Sequence, residues 1–189
     1  MAISKNKNES YQKWRDRTIN KISPSFCGAK WYNATVWLNS GSTASCHHPP
    51  AHKIPVEEVL ANLKALHNTS YKKMVRKQMI DGERPEECDY CWKVEDLGEE
   101  YISDRTYKSV IYTEEELNEA KNTFGYTGDV PLKTLEIAFD ANCNFACSYC
   151  NASFSTQWAT TIYRRSLRKA RHYAEKQSQT ERLSLKQED

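Results

Sequence analysis

The sequence lacks any apolar run approaching the roughly 20 residues that a membrane-spanning helix needs, which excludes a helical integral membrane protein from expectation. It also lacks a secretory signal: Met1-Ala2-Ile3-Ser4-Lys5-Asn6-Lys7 is polar, with no apolar stretch, so the expected compartment is the cytoplasm. Charge of one sign is missing too. The 27 Lys and Arg nearly balance the 25 Asp and Glu, and a net charge of +2 names no partner. There is no internal repeat, and there is no even set of cysteines. The count is seven, and disulfides are disfavoured in a reducing compartment, so clustered thiols read first as metal or redox ligands.

What is present fits a soluble globular chain of one ordinary domain or two small ones: 189 residues, 39% hydrophobic and 28% charged. The cysteines fall into two groups, Cys27, Cys46, Cys88 and Cys91, then Cys143, Cys147 and Cys150. A four-plus-three division is what one fully ligated metal site and one open site produce. Residues 1–24 are polar and basic around Tyr11, Trp14 and Ile19, and read as a tail or one short helix. Ala34–Leu38 is β-prone and runs into a turn at Asn39-Ser40-Gly41-Ser42. Pro55 opens a helical pattern with Val56, Val59, Leu60, Leu63 and Leu66 on one face. Thr69 or Ser70 caps a second helix carrying Tyr71, Met74, Val75 and Met79, which Gly82 ends. Thr113 and Glu116 form a capping box. Gly125, Gly128 and Pro131 mark a loop, after which Leu132, Leu135, Ile137, Ala138 and Phe139 make one apolar strand. A helix-compatible stretch spans Phe154 to Tyr173, and residues 175–189 are almost devoid of apolar side chains, so a frayed end is expected there.

The strand from Leu135 leads directly into Cys143-Asn-Phe-Ala-Cys147-Ser-Tyr-Cys150. Four cysteines normally hold a 4Fe–4S cluster. A C-x3-C-x2-C loop offers three, which leaves one iron open to a small molecule, as an open position marks reactive zinc sites. The spacing, the aromatic Tyr149 before the third cysteine and the preceding strand resemble the radical S-adenosylmethionine (SAM) superfamily. The resemblance implies that Cys143, Cys147 and Cys150 ligate a 4Fe–4S cluster at the end of the first strand of a βα barrel. It implies that the open iron chelates SAM, with Tyr149 beside the adenine. An electron from the cluster then cleaves the sulfonium, and the resulting radical abstracts hydrogen from substrate. The competing reading is a three-cysteine zinc site that borrows a histidine, or three unrelated thiols.

Cys88-x2-Cys91 is a chelating knuckle that needs two further ligands, and Cys27 and Cys46 are the cysteines available. Cys46 is followed by His47 and His48, either of which is an alternative ligand but more simply a neighbour of the site. The long-range pattern resembles the twitch module, the shortened SPASM auxiliary-cluster domain, placed ahead of a radical SAM core. That implies a second, auxiliary 4Fe–4S cluster on Cys27, Cys46, Cys88 and Cys91; a structural zinc is the alternative, since four thiolates suit either metal.

The expected fold is therefore an α+β auxiliary-cluster module followed by the first βα unit of an incomplete α/β barrel. The expected domains are a tail or short helix (1–24), the cysteine-rich module (25–112), a linker helix and loop (113–131), and the start of a radical SAM core with a polar tail (132–189). Only about 40 residues follow the loop, less than two βα units of ~30 residues each. No Gly-Gly pair occurs to form the family's SAM-binding strand end. The chain is thus expected to be a fragment or one half of a split enzyme, carrying the cluster sites without complete activity. The expected substrate is a peptide, sugar or small molecule, served by an electron donor, with no membrane partner. The basic run Arg164-Arg165-Ser166-Leu167-Arg168-Lys169-Ala170-Arg171 reads as a solvated helix face in preference to a nucleic-acid contact. Glu95 and Glu99 are expected to face solvent. The rival class is a zinc-binding interaction protein without catalysis.

Overall fold

Ser10 accepts a hydrogen bond from the Lys13 amide and so opens helix α1 (Tyr11–Arg17), which is followed by the single turn α2 (Ile19–Ile22). These and the elements below come from a computed structural model that describes residues 4–143, 145 and 147–184, with side chains to residue 172. The N-terminal stretch is more than a tail, because Trp14 and Ile19 are fully buried and anchor it in the core. The chain divides into two compact units, Met1–Phe139 and Asp140–Asp189.

In the first unit, α3 (Gly28–Tyr32) runs straight into strand β1 (Asn33–Trp37). A turn with Gly41 at φ +59° returns the chain as β2 (Ser42–Ala44), antiparallel to β1, and β3 (His52–Lys53) pairs with β2. Strand β4 (Thr134–Ala138) lies parallel to β1 in the register Asn33↔Thr134 to Trp37↔Ala138, giving a mixed sheet of order β3-β2-β1-β4. The apolar strand expected to begin a separate module is thus hydrogen-bonded into the first unit's sheet, and the compact boundary falls after Phe139 rather than at 131/132. Being at the edge, β4 leaves Leu135 and Ile137 exposed, although parallel strands are usually covered on both faces.

Helix α4 (Val56–Ala61) and the 3₁₀ turn Leu63–Leu66 occupy the predicted helical stretch, and Val56, Leu60 and Leu63 of its apolar face lie exposed. Helix α5 (Ser70–Ile80) is capped by Thr69, whose side chain accepts from the Lys72 amide, and Gly82 at φ +83° follows its end. Its buried face carries Val75 and Met79 but also Arg76, which donates to the Lys30 carbonyl at 2.9 Å and to Asn68 Oδ1 at 2.7 Å. A 3₁₀ turn (Glu86–Cys88) leads into α6 (Asp89–Glu95), and α7 (Asp104–Ser109) follows. The capping box at Thr113 and Glu116 opens α8 (Glu114–Glu119), continued by a π-helical turn, Ala120–Phe124. Leu117 and Ala120 are fully buried beside Trp31, Tyr32 and Val130, so residues 113–131 belong to the core and are not a linker. Phe26 stacks on Trp31 with ring centroids 4.6 Å apart. This aromatic core lies against Cys27, Cys88, Cys91 and Trp92.

The second unit is the three-cysteine loop and one helix, α9 (Thr156–Ser184). The helix extends beyond the expected end near Tyr173; residues 185–189 lie outside the described residues. Among the described residues no helix is long and apolar enough to cross a membrane.

Candidate metal centre

Four cysteines distant in sequence line one cavity. Cys27 stands at the start of α3, Cys46 two residues beyond β2, and Cys88 and Cys91 on the 3₁₀ turn and first turn of α6. The remaining wall includes Lys30, His48, Asp104, Arg105 and Lys108. Cys27, Cys88 and Cys91 are buried and Cys46 is half-buried, all as free thiols. Local backbone chemistry explains each placement. The Gly28 amide that follows Cys27 donates to Ser109 Oγ at 2.8 Å, tying α3 to α7. A Cβ on Gly28 would meet Leu117 Cδ2 at 2.9 Å and Tyr112 Cδ2 at 3.0 Å, so only glycine lets α3 approach this closely. Trp92 Nε1 donates to the Pro85 carbonyl at 2.9 Å, closing the knuckle.

Burial pushes the Cys88 thiol up to about 12 and the Cys91 thiol up to about 11, and raises Cys46 as well. Opposing groups already point at the sulfurs. The His48 amide beside Cys46 and the Arg105 amide beside Cys91 offset part of that rise, while the Ser103 hydroxyl beside Cys91 donates to Glu95 Oε1. Lys30 is almost fully buried, and burial alone would lower its pKa; Cys88 and the ion-paired Glu87 carboxylate outweigh that and raise it. Arg105, equally buried, pairs with Glu95 at 2.9 Å and donates to the Phe26 carbonyl at 2.9 Å. The cavity therefore presents thiols, amide donors and two buried cations, a setting that favours sulfur in its anionic form once a metal displaces the protons. Glu95, expected in solvent, is held with its side chain only 10% exposed by Arg105, while Glu99 is exposed as expected.

The three-cysteine loop is more open. Cys143, Cys147 and Cys150 are half-buried, and Tyr149 is 90% exposed. The Cys150 amide donates to the Cys147 carbonyl at 3.0 Å, and Trp158 Nε1 on α9 donates to the same carbonyl at 3.0 Å. The Cys143 amide donates to Thr156 Oγ1 at 3.2 Å, so the first turn of α9 holds the loop at its first and second cysteines. The Phe145 amide donates to Cys143 Sγ at 3.4 Å. The neighbouring Cys147 raises the Tyr149 pKa. Asn144 and Ala146 of the loop lie outside the described residues.

Among the described residues no three cysteine sulfurs lie within 4.8 Å of one another. Among the described residues, the one set of three His, Cys, Asp or Glu ligand atoms within 4.8 Å of each other is His47, His48 and Asp104. No family model matches the chain, and no curated protein or solved structure matches it either. The site must be read from its own chemistry.

Sequence reasoning missed Lys30, Ser103, Asp104 and Arg105. None carries a local motif, since each reaches the cavity from an element that only tertiary packing brings there. The adjacency of Lys30 to Cys27, one helical turn away, was the available signal. The basic run on α9 is exposed, as expected of a solvated face.

Proposed function

We propose that the chain is an iron–sulfur protein of radical SAM type, with an auxiliary 4Fe–4S cluster on Cys27, Cys46, Cys88 and Cys91 and a SAM-binding 4Fe–4S cluster on Cys143, Cys147 and Cys150. The observation that carries the reading is the convergence of Cys27, Cys46, Cys88 and Cys91 on one cavity. Four thiolates suit either a cluster or a zinc, and a count of metal and sulfide separates the two. The amides of His48 beside Cys46 and of Arg105 beside Cys91 suit a cluster, because hydrogen bonds to sulfur tune cluster potential.

At the three-cysteine loop, three thiols on one turn with a strand before them and a helix after them support the open-iron reading, together with the motif itself. When bound, such a cluster supplies one low-potential electron to a sulfonium. The chain's own residues do the positioning: Trp158 and Thr156 fix the loop, and Tyr149 offers an exposed ring beside it. The hydrogen-abstracting activity of the superfamily, an electron donor and a peptide, sugar or small-molecule substrate are part of this proposal.

The test is anaerobic purification, reconstitution with iron and sulfide, and a count of iron, sulfide and zinc per chain. The triple variant Cys143→Ala, Cys147→Ala, Cys150→Ala runs beside the parent. Two clusters in the parent and one in the variant are expected, with a SAM-induced change in the EPR spectrum of the reduced parent alone. Zinc with no sulfide in both proteins would overturn the reading and leave a structural zinc protein.

A further inference from the structure

The loop that carries Cys46 continues as His47-His48-Pro49-Pro50, and its two imidazoles turn toward the first residue of α7. His48 Nε2 lies 2.8 Å from Asp104 Oδ2, and His47 Nε2 lies 3.6 Å from the same oxygen. The three ligand atoms sit within 4.8 Å of one another. We propose that His47, His48 and Asp104 form a separate divalent-cation site, which takes a zinc-class ion through two imidazole nitrogens and one carboxylate oxygen.

The geometry fits the ion. Zinc holds nitrogen and oxygen at about 2.0–2.2 Å, which spreads tetrahedral ligands by roughly 3.4 Å. The observed separations bracket that value, so ligation needs only small shifts. The His48 ring is already oriented, stacked on Tyr90 with centroids 3.8 Å apart and planes 14° from parallel. The side chains grade from the half-covered His48 to His47, which is 64% exposed, so the face away from the protein stays open to water. Two imidazoles, one carboxylate and an open position make the donor set of hydrolytic zinc and of non-haem iron(II), not of a structural thiolate site. It is therefore distinct from the cysteine reading, although His48 and Asp104 also line the four-cysteine cavity.

Lys108 decides how tightly the site binds. Its Nζ lies 3.2 Å from His47 Nδ1. An ammonium can only donate, so Nδ1 accepts and the ring proton sits on Nε2, facing Asp104. A metal on Nε2 needs the other tautomer. Lys108 therefore has to swing away when the ion arrives. Lys108 acts as a built-in competitor for the cation.

The experiment uses the full chain, loaded anaerobically with iron and sulfide, cleared of free metal and titrated with zinc chloride. One zinc per chain is expected, with nitrogen and oxygen but no sulfur in its X-ray absorption spectrum. His47→Ala removes an exposed ring and leaves the fold intact by circular dichroism; it and Asp104→Asn should each weaken zinc at least tenfold while iron and sulfide stay constant. Lys108→Met should tighten zinc severalfold. If the cysteines hold zinc instead of clusters, the parent carries sulfur-bound zinc plus this ion, and His47→Ala loses only the nitrogen-and-oxygen-bound one. The proposal fails if the added zinc is sulfur-bound, if none binds, or if His47→Ala and Asp104→Asn leave its affinity unchanged.

Discussion

Burying an ammonium costs free energy unless a counter-charge is buried with it, and Lys30 meets that condition through Glu87, with side chains 4% and 11% exposed. Removing one partner leaves the other charge uncompensated. Lys30→Met is expected to cost the metal-free chain about 3–5 kcal/mol in chemical denaturation, and the double variant Lys30→Met, Glu87→Leu is expected to recover most of it. A single variant within 1 kcal/mol of the parent would remove the buried pair from the account of stability. Two other buried groups set a pH dependence. Burial, with Arg76 and Lys30 adding repulsion, lowers Lys72 to about 7, and burial with Lys72 and Arg76 lowers His67 to about 3. In both cases the unfolded chain binds more protons than the folded one, Lys72 between about pH 7 and 10.4 and His67 between about pH 3 and 6.5. Each group's own contribution to stability therefore rises with pH through its window, by up to about 1.4 kcal/mol per pH unit, and above about pH 8.5 the raised Cys88 and Cys91 thiols of the metal-free chain oppose the Lys72 contribution. Urea midpoints should climb from neutral to mildly alkaline pH and fall below about pH 6. Lys72→Met should abolish the alkaline climb and leave the acid fall; a climb unchanged in that variant would place its origin elsewhere.

Among the elements, what is local was legible and what is tertiary was not. The capping box of α8, the Thr69 cap of α5, the β1 strand and the Gly82 stop all follow from neighbouring residues, and each appears where the pattern puts it. The apolar face of α4 is legible in the sequence, but periodicity reports that a face is apolar, not that anything covers it; Leu60 is 82% exposed. Glu95 departs in the opposite sense: expected in solvent, it is held by the buried Arg105 of α7. The candidate site divides the same way. The Cys88-x2-Cys91 knuckle is visible in six residues, while Cys27 and Cys46 join it only because the fold brings α3 and the β2 loop to α6. Gly28 marks that closeness. Gly28→Ala forces α3 off Tyr112 and Leu117, with an expected loss of about 1–3 kcal/mol. Because Cys27 is its neighbour, the variant should also hold less iron after reconstitution than Thr113→Ala. Thr113→Ala loses only a cap, about 1 kcal/mol, and should keep the parent's iron count. Equal iron in both variants would separate the α3 packing from the metal centre.

For the whole molecule, the misplaced boundary has a physical origin and a consequence. The stretch after Pro131 reads as the opening strand of a new module, but β4 finds its hydrogen-bonding partner in β1, about a hundred residues earlier, and such pairing leaves no trace in local sequence. The unit Met1–Phe139 thus contains all four strands, the aromatic core and Cys27, Cys46, Cys88 and Cys91, whereas the three-cysteine loop falls in the other unit. A chain of residues 1–139 is therefore expected to unfold cooperatively, to melt within a few degrees of the full chain, and to take up one cluster's iron and sulfide. The same count should appear in the full-length triple variant lacking Cys143, Cys147 and Cys150. The exposed edge of β4, with Leu135 and Ile137 outward, is the hazard in that experiment, because an unpaired apolar edge recruits other chains. Ile137→Lys in the short chain separates the two effects: it should suppress association and leave iron binding unchanged. A short chain that stays monomeric with this substitution yet neither melts cooperatively nor binds iron would show that the second unit is needed to complete the first, and the four-cysteine centre would then not be an independent module.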